Sequence, residues 1–303
     1  MGLVAATHDP LWPAASTLLR SPSPDRRTVT LLGVPTYATS VTPRSATSAP
    51  RAIRAAFARY STWSYEDDVD IAEVVDLVDL GDVDDPDGPG GGARVASALA
   101  SGPPRELSII LGGDNAATFH ALAAVAGGDW DSVGLITFDA HHDLREGISN
   151  GSPVRQAMAA GLDGAHVVQI GLADFSNSAG YAAAARAAGI HVVARAALRR
   201  ESLETVLAHA LDVASDGGRR VYVDVDLDVA DRAVVPGCPA AAPGGLSADD
   251  LRRAARLVGA DERVVALDVT EIDVARDSDD ERTVRLAALV VLEALAGVTR
   301  RRT

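Results

Sequence analysis

Apolar residues come in two rhythms along this chain. Short runs dominated by Val, Ile and Leu cover 28–34, 107–111, 133–138, 167–171, 220–225 and 264–269, with a shorter pair at 192–193. Between them, apolar positions recur at helical spacing over 51–60, 116–125, 153–160, 178–188, 203–214, 246–257 and 284–295. A nearly unbroken apolar run of strand length predicts a strand covered on both faces, and alternation of such strands with helices predicts a parallel sheet. Pro153 suits the first turn of its helix, and Ser247 with Asp250 predicts a cap for the 246–257 helix. Two stretches break the rhythm: 35–50, rich in Thr, Ser and Pro, and 81–92, rich in Gly, Asp and Pro. Both read as loops. The expected fold is α/β, three layers (α/β/α) around a mostly parallel central sheet. Residues 1–27 form an irregular lead-in, and 28–303 a single domain.

Composition narrows the function. The chain has 303 residues and a net charge of −14, which argues against nucleic acid as a partner, since a phosphate backbone needs a basic patch. Every one of the 28 basic residues is arginine. Schiff-base chemistry on lysine and a P-loop lysine are thereby excluded. The lone Cys238 cannot build a disulfide framework within the chain and reads as a small core residue. No apolar run is long enough for a membrane span and no signal-peptide core is seen, so the expectation is a cytoplasmic protein with no membrane partner.

The chemistry lies where strands end. Phe138-Asp139-Ala140-His141-His142-Asp143 follows one apolar run, and Asp224-Val225-Asp226-Leu227-Asp228 closes another. Asp139, His141 and Asp143 are two residues apart, which in extended chain puts them on one side; Asp226 and Asp228 stand in the same relation. Such groups at the end of a buried strand need something positive among them. In open parallel sheets, ligands bind beyond the carboxyl ends of the strands. Carboxylates with an imidazole suit Mn²⁺ and, less well, Mg²⁺ or Zn²⁺. Two ions sharing carboxylates can share a water and make hydroxide near neutral pH. Asp224 lies on the same strand face, where it reads as a group orienting a ligand.

With these residues in view, the chain resembles the ureohydrolase (arginase and agmatinase) family nearly end to end. The match runs through Leu32-Gly33-Val34-Pro35, Pro50-Arg51-Ala52-Ile53-Arg54, Gly112-Gly113-Asp114-Asn115, both acidic clusters, Pro236-Gly237, Pro243-Gly244-Gly245-Leu246 and Asp268-Val269-Thr270-Glu271. The resemblance implies two Mn²⁺ per chain. Asp139 and Asp226 would bridge them, Asp143 and residue 115 would complete the outer ion, and His141 and Asp228 would serve the other. Glu271 would accept hydrogen bonds from the scissile amidine, and Asp143 would hold the attacking hydroxide and relay its proton. Family members are often oligomers, so a homo-oligomer is expected.

Two departures from the family pattern carry information. Asn115 stands where a histidine is usual, and an amide oxygen is a weaker ligand, so the outer metal should bind less tightly. Asn150-Gly151-Ser152-Pro153 replaces a His-Gly-x-Pro segment, leaving no proton-shuttling histidine there; His142 reads as an ordinary histidine. Formimidoylglutamases share the second departure and tend to carry Asp-Leu-Arg after the first cluster, as Asp143-Leu144-Arg145 does here. Their substrate has two carboxylates, which a fixed arginine can hold bidentately. Arg145 is the first candidate and Arg155 the second, with Asn150 and with Ser176 or Asn177 as further pocket contacts and Ser178 as a helix cap. The resulting expectation is hydrolysis of N-formimidoyl-L-glutamate to glutamate and formamide. Rival readings are a guanidino hydrolase (agmatinase or guanidinobutyrase type) releasing urea, a scaffold that has lost its outer metal, and a one-metal deacetylase-like hydrolase.

Overall fold

The computed structural model describes residues 9, 11–44 and 48–302. Residues 1–8 and 10 of the lead-in, and 45–47 of the first loop, lie outside this set.

Eight strands form the expected sheet, all parallel, in the order β4-β1-β5-β10-β9-β6-β7-β8. They are β1 (Arg27–Val34), β4 (Val75–Asp82), β5 (Leu107–Gly112), β6 (Val133–Phe138), β7 (Val167–Leu172), β8 (His191–Ala194), β9 (Arg220–Asp226) and β10 (Val264–Thr270); β2 (Trp63–Ser64) and β3 (Val69–Asp70) pair separately as a small hairpin. One face of the sheet is covered by α1 (Ala49–Ala56), α7 (Leu203–Ala214), α8 (Ala248–Ala260) and α9 (Arg282–Val298). The other is covered by α3 (Gly91–Ala100), α4 (Ala116–Ala126), α5 (Pro153–Ala160) and α6 (Ala179–Ala187); α2 (Ile71–Val74) is a single turn. Consecutive residues of the central strands alternate between the two cores: Ile109 and Leu111 point to one, Ile110 to the other. Double coverage is why apolar residues dominate these strands on both faces.

Edge strand β4 and helix α3 are absent from the sequence-based reading. β4 reads Val-Asp-Leu-Val-Asp-Leu-Gly-Asp, acidic enough to pass for an approach to the loop, yet charge is what an edge strand needs to avoid pairing with another chain. Its Asp76 is fully buried and ties down the lead-in: it pairs with Arg20 and Arg26 and accepts from the Ser23 N–H at 2.7 Å. Ala15 and Leu18, in a 3₁₀ turn, are core residues. The lead-in, where described, is therefore docked onto the sheet. The predicted caps are present. Ser247 and Asp250 make a reciprocal capping box on α8, and Ser178 accepts from Tyr181 N–H at 3.1 Å.

Helices α8 and α9 cross through glycine. A Cβ on Gly259 would lie 2.1 Å from the Ala294 carbonyl oxygen, and one on Gly297 2.1 Å from that of Arg256. Backbone cannot retreat as a side-chain tip can, so Gly259→Ala is expected to cost about 1–3 kcal/mol, the usual penalty for overpacking. An unchanged midpoint in thermal or urea unfolding would show that the crossing relaxes. Among the described residues no helix is long and apolar enough to cross a membrane.

Candidate active site

Four neighbouring strands in the middle of the sheet, β5, β10, β9 and β6, end at one place. Asn115 follows β5, Glu271 follows β10, Asp226 closes β9 with Asp228 just beyond, and Asp139 follows β6. His141, Asp143, Asp226, Asp228 and Glu271 line one cleft with Arg145, Asn150 and Asn177, walled by Val41 and Thr42. Asp143 (φ 54°) and Glu271 (φ 64°) both sit in the left-handed region, a strained backbone for a non-glycine residue that clusters at functional sites.

The core of the site is Asp139, His141 and Asp228, each offering a ligand atom within 4.8 Å of the others. His141 Nδ1 lies 2.7 Å from Asp228 Oδ2 and 3.4 Å from Asp139 Oδ1. Burial would depress this imidazole, but Asp228 and Asp139 beside it hold it up to about 12. Asp139 is pushed up to about 7 by burial and by Asp228, with His141 acting against both. Burial likewise raises Asp143 and Asp226 well above the usual carboxylate range, aided by neighbouring acids. Asp228 alone goes down: the facing His141 outweighs its burial. Three of these carboxylates are thus held above the usual carboxylate range for want of positive charge, while Oδ2 of Asp139 is buried with no hydrogen-bond partner among the described residues.

Asn115 is turned differently from a ligand. Its oxygen accepts from the Thr118 hydroxyl at 2.6 Å and the Thr270 hydroxyl at 3.1 Å, while its amide donates to Asp143 Oδ2 at 2.6 Å. The Asp143 carboxylate sets the amide's orientation, because the reverse would face one acceptor with another, whereas the two hydroxyls can donate or accept. In this arrangement Asn115 orients Asp143.

The expected substrate contacts divide. Arg145 is exposed, lines the cleft and makes no ion pair among the described residues. Arg155 does not reach the cleft: it is exposed on α5 and its guanidinium donates to the Arg145 carbonyl at 3.4 Å. Asn177 lines the cleft but both ends of its amide are spent on backbone, accepting from His142 N–H at 2.9 Å and donating to the Ala140 carbonyl at 2.9 Å. It holds the Asp139–Asp143 segment in place. Asn150 donates to Glu271 Oε1 at 2.8 Å and accepts from Val41 N–H at 2.8 Å. His142 is buried against Gln169, Nδ1 to Oε1 2.7 Å. Asp224 is buried beside Asp268, which accepts from the Tyr222 hydroxyl at 2.7 Å. Burial and Asp268 raise Asp224 well above its usual range, and it is absent from the cleft lining.

One site residue escaped sequence reading altogether. Arg44, in the first loop, has its side chain buried and paired with Glu271. The strap that carries it, residues 36–44, crosses Gly113, where a Cβ would lie 2.2 Å from the Thr36 carbonyl oxygen. That close approach explains the second glycine of Gly112-Gly113-Asp114. Glu271 is pushed up by burial, opposed first by Arg44 and then by the Asn150 and Asn115 hydrogen bonds.

Comparison with known proteins agrees with this geometry. Formimidoylglutamase of Bacillus subtilis (strain 168) is 35% identical over 206 residues, covering 66% of this chain and 64% of that protein. This chain thus spans less than two thirds of that relative's length in the alignment. The crystal structure of the formimidoylglutamase from Bacillus subtilis subsp. subtilis str. 168 matches with a TM-score of 0.90 at 30% identity, over 100% of this chain and 97% of that one. That of Trypanosoma cruzi formiminoglutamase with Mn²⁺ shares the fold, with a TM-score of 0.85 at 21% identity over 96% of this chain and 100% of that one. The arginase family pattern itself matches residues 27–297, from the first strand of the sheet to the last helix, and the chain belongs to the arginase family.

Proposed function

We infer that this protein is a manganese-dependent hydrolase of a linear amidine, N-formimidoyl-L-glutamate, yielding L-glutamate and formamide. The observation that carries the reading is the group of buried Asp139 and Asp228 with half-buried His141, opening into a cleft whose rim holds the guanidinium of Arg145, which makes no ion pair among the described residues. The donor set fits a metal: Asp139 Oδ2 is buried without a partner, and carboxylates with one imidazole suit Mn²⁺. Asp139, His141, Asp143, Asp226 and Asp228 would hold two ions, with Asn115 beside the outer one, and the relatives named above support both metal and substrate. Bound there, the pair would lower the pKa of a shared water and so supply a nucleophile at neutral pH.

The protein's own groups do the rest. The Asp143 carboxylate, with Oδ2 fixed by Asn115, takes the water's proton and returns it to the glutamate nitrogen as the carbon–nitrogen bond breaks. Glu271 accepts a hydrogen bond from the amidine's terminal nitrogen and stabilises the charge that develops there. Arg145 at the mouth holds a carboxylate of the substrate. The water's oxygen leaves in formamide. A guanidino amine such as agmatine offers that arginine nothing to bind.

The test is turnover by the manganese-loaded protein on N-formimidoyl-L-glutamate, agmatine, 4-guanidinobutyrate and arginine, following formamide and urea separately. Formamide from the first alone is the expected result; urea from a guanidino compound would replace the substrate assignment, and no turnover with no bound metal would make the protein a scaffold. Arg145→Ala should raise KM for formimidoylglutamate about 10- to 100-fold, the worth of a charge-assisted contact. Its effect on any residual agmatine turnover should stay within about twofold by the same reasoning. Equal effects on the two would remove Arg145 from this role.

A further inference from the structure

Arg44 serves no purpose in the scheme above, yet a buried cation needs one. Its side chain is 0% exposed, against 3% for its partner Glu271. The acceptor capacity of Glu271 shows what the pair does. Each carboxylate oxygen accepts about two hydrogen bonds. Oε1 takes the Asn115 N–H at 3.0 Å and Asn150 Nδ2 at 2.8 Å, and is full. Among the described residues Oε2 takes Arg44 Nη2 alone, which leaves one opening. The arginine is held there: Nη1 donates to the Gly113 carbonyl at 3.2 Å, and its strap is fixed by Val41 on Asn150 and by the Ser40 hydroxyl on Asp114.

We propose that Arg44 is a positioning residue that sets specificity. It occupies, at Glu271, the place that the second terminal amino group of a guanidine would need, so that the cleft accepts an amidine and rejects a guanidine. The inference rests on the amidine reading given above. A guanidine carries –NH₂ where the formimino group carries hydrogen, and a guanidinium binds a carboxylate best through two parallel N–H···O bonds. With one opening left on Glu271, a single terminal nitrogen is matched and a second amino group is left unpaired in a buried site, a mismatch that discriminates strongly.

The experiment compares manganese-loaded wild type, Arg44→Ala and Arg44→Lys. It measures kcat/KM for formimidoylglutamate and 4-guanidinobutyrate, and the melting temperature with and without millimolar methylguanidine. In Arg44→Ala the formimidoylglutamate-to-guanidinobutyrate ratio should fall by about tenfold or more, with urea release rising in absolute terms. Methylguanidine should raise the melting temperature of that variant and not of wild type, and should restore the ratio. Arg44→Lys keeps the charge but not the fork and should shift the ratio the same way by less; it carries the test if Arg44→Ala does not fold. Equal loss on both substrates with no response to methylguanidine would overturn the proposal, as would efficient urea release by wild type. Should wild type act on neither substrate, the functional reading fails by itself. The methylguanidine response then decides: a shift confined to Arg44→Ala supports a guanidinium place at Glu271, and its absence rejects it.

Discussion

Asp139→Asn is expected to remove manganese and activity together. The substitution keeps the shape but puts an amide where Oδ2 now lies buried without a partner, and a neutral amide is a weaker ligand for a hard cation than a carboxylate. Loss of the metal removes several kcal/mol of transition-state stabilisation, so kcat/KM should drop by about 10³-fold or more. Asp226→Asn should behave alike. Metal content by elemental analysis, read beside formamide release, checks both; a variant that retains manganese and near wild-type turnover would dismantle the site. A pH signature accompanies this. In metal-free protein Asp139 is held up to about 7, above its unfolded value, so the stability tied to its proton is full at acid pH and lost as pH rises to about 7. His141, held up to about 12, falls away in the same direction from about 6.5 upward. Manganese binds the deprotonated groups. The gap in melting temperature between manganese-loaded and chelator-treated protein should therefore widen from pH 6 to pH 8, and a constant gap would place the metal elsewhere.

Glu271→Gln should damage both fold and function. The new amide can still accept from Asn115 and Asn150, but it turns a donor toward Arg44 and strands a buried guanidinium. Breaking a buried ion pair from one side costs about 3–5 kcal/mol, a fall of roughly 5–15 °C in melting temperature for a chain of this size. Turnover should drop by about 10²-fold or more through loss of the group facing the amidine nitrogen. The double variant Glu271→Gln/Arg44→Met removes both charges. It should regain much of the stability and none of the activity, which separates the two roles; a double variant as unstable as the single one would show that the pair is not what the fold depends on.

Much of this molecule is written in local pattern. Strands such as 133–138 are rich in apolar residues because helices cover both faces, and the change to Asp139 marks where that cover ends. Asp139 and His141 still meet in space although the chain bends at Ala140 and His141 and turns left-handed at Asp143. What escaped reading depends on distant partners. β4 looks like loop approach because its aspartates are explained only by the edge of the sheet and by Arg20 and Arg26. Arg44 lies in a stretch of Thr, Ser and Pro with no periodicity, and its meaning comes from a glutamate far along the chain. Asn177 and Arg155 carry the right chemistry for substrate, but a side chain can be spent on backbone or turned outward, and spacing alone does not say which.

The strand order also sets a timetable. β10, which inserts between β5 and β9, is the last strand in sequence. While the chain is being synthesised, β4, β1 and β5 on one side and β9, β6, β7 and β8 on the other have no common neighbour, and the gap between them closes only after residue 270 has emerged. Glu271 arrives at that same moment, as the last site residue to be made. Until then two half-sheets would each present an open apolar edge, a period in which a nascent chain is prone to pair with its neighbours on the polysome. The yield of active protein should accordingly respond more to slowed translation downstream of β9 than to slowing anywhere upstream.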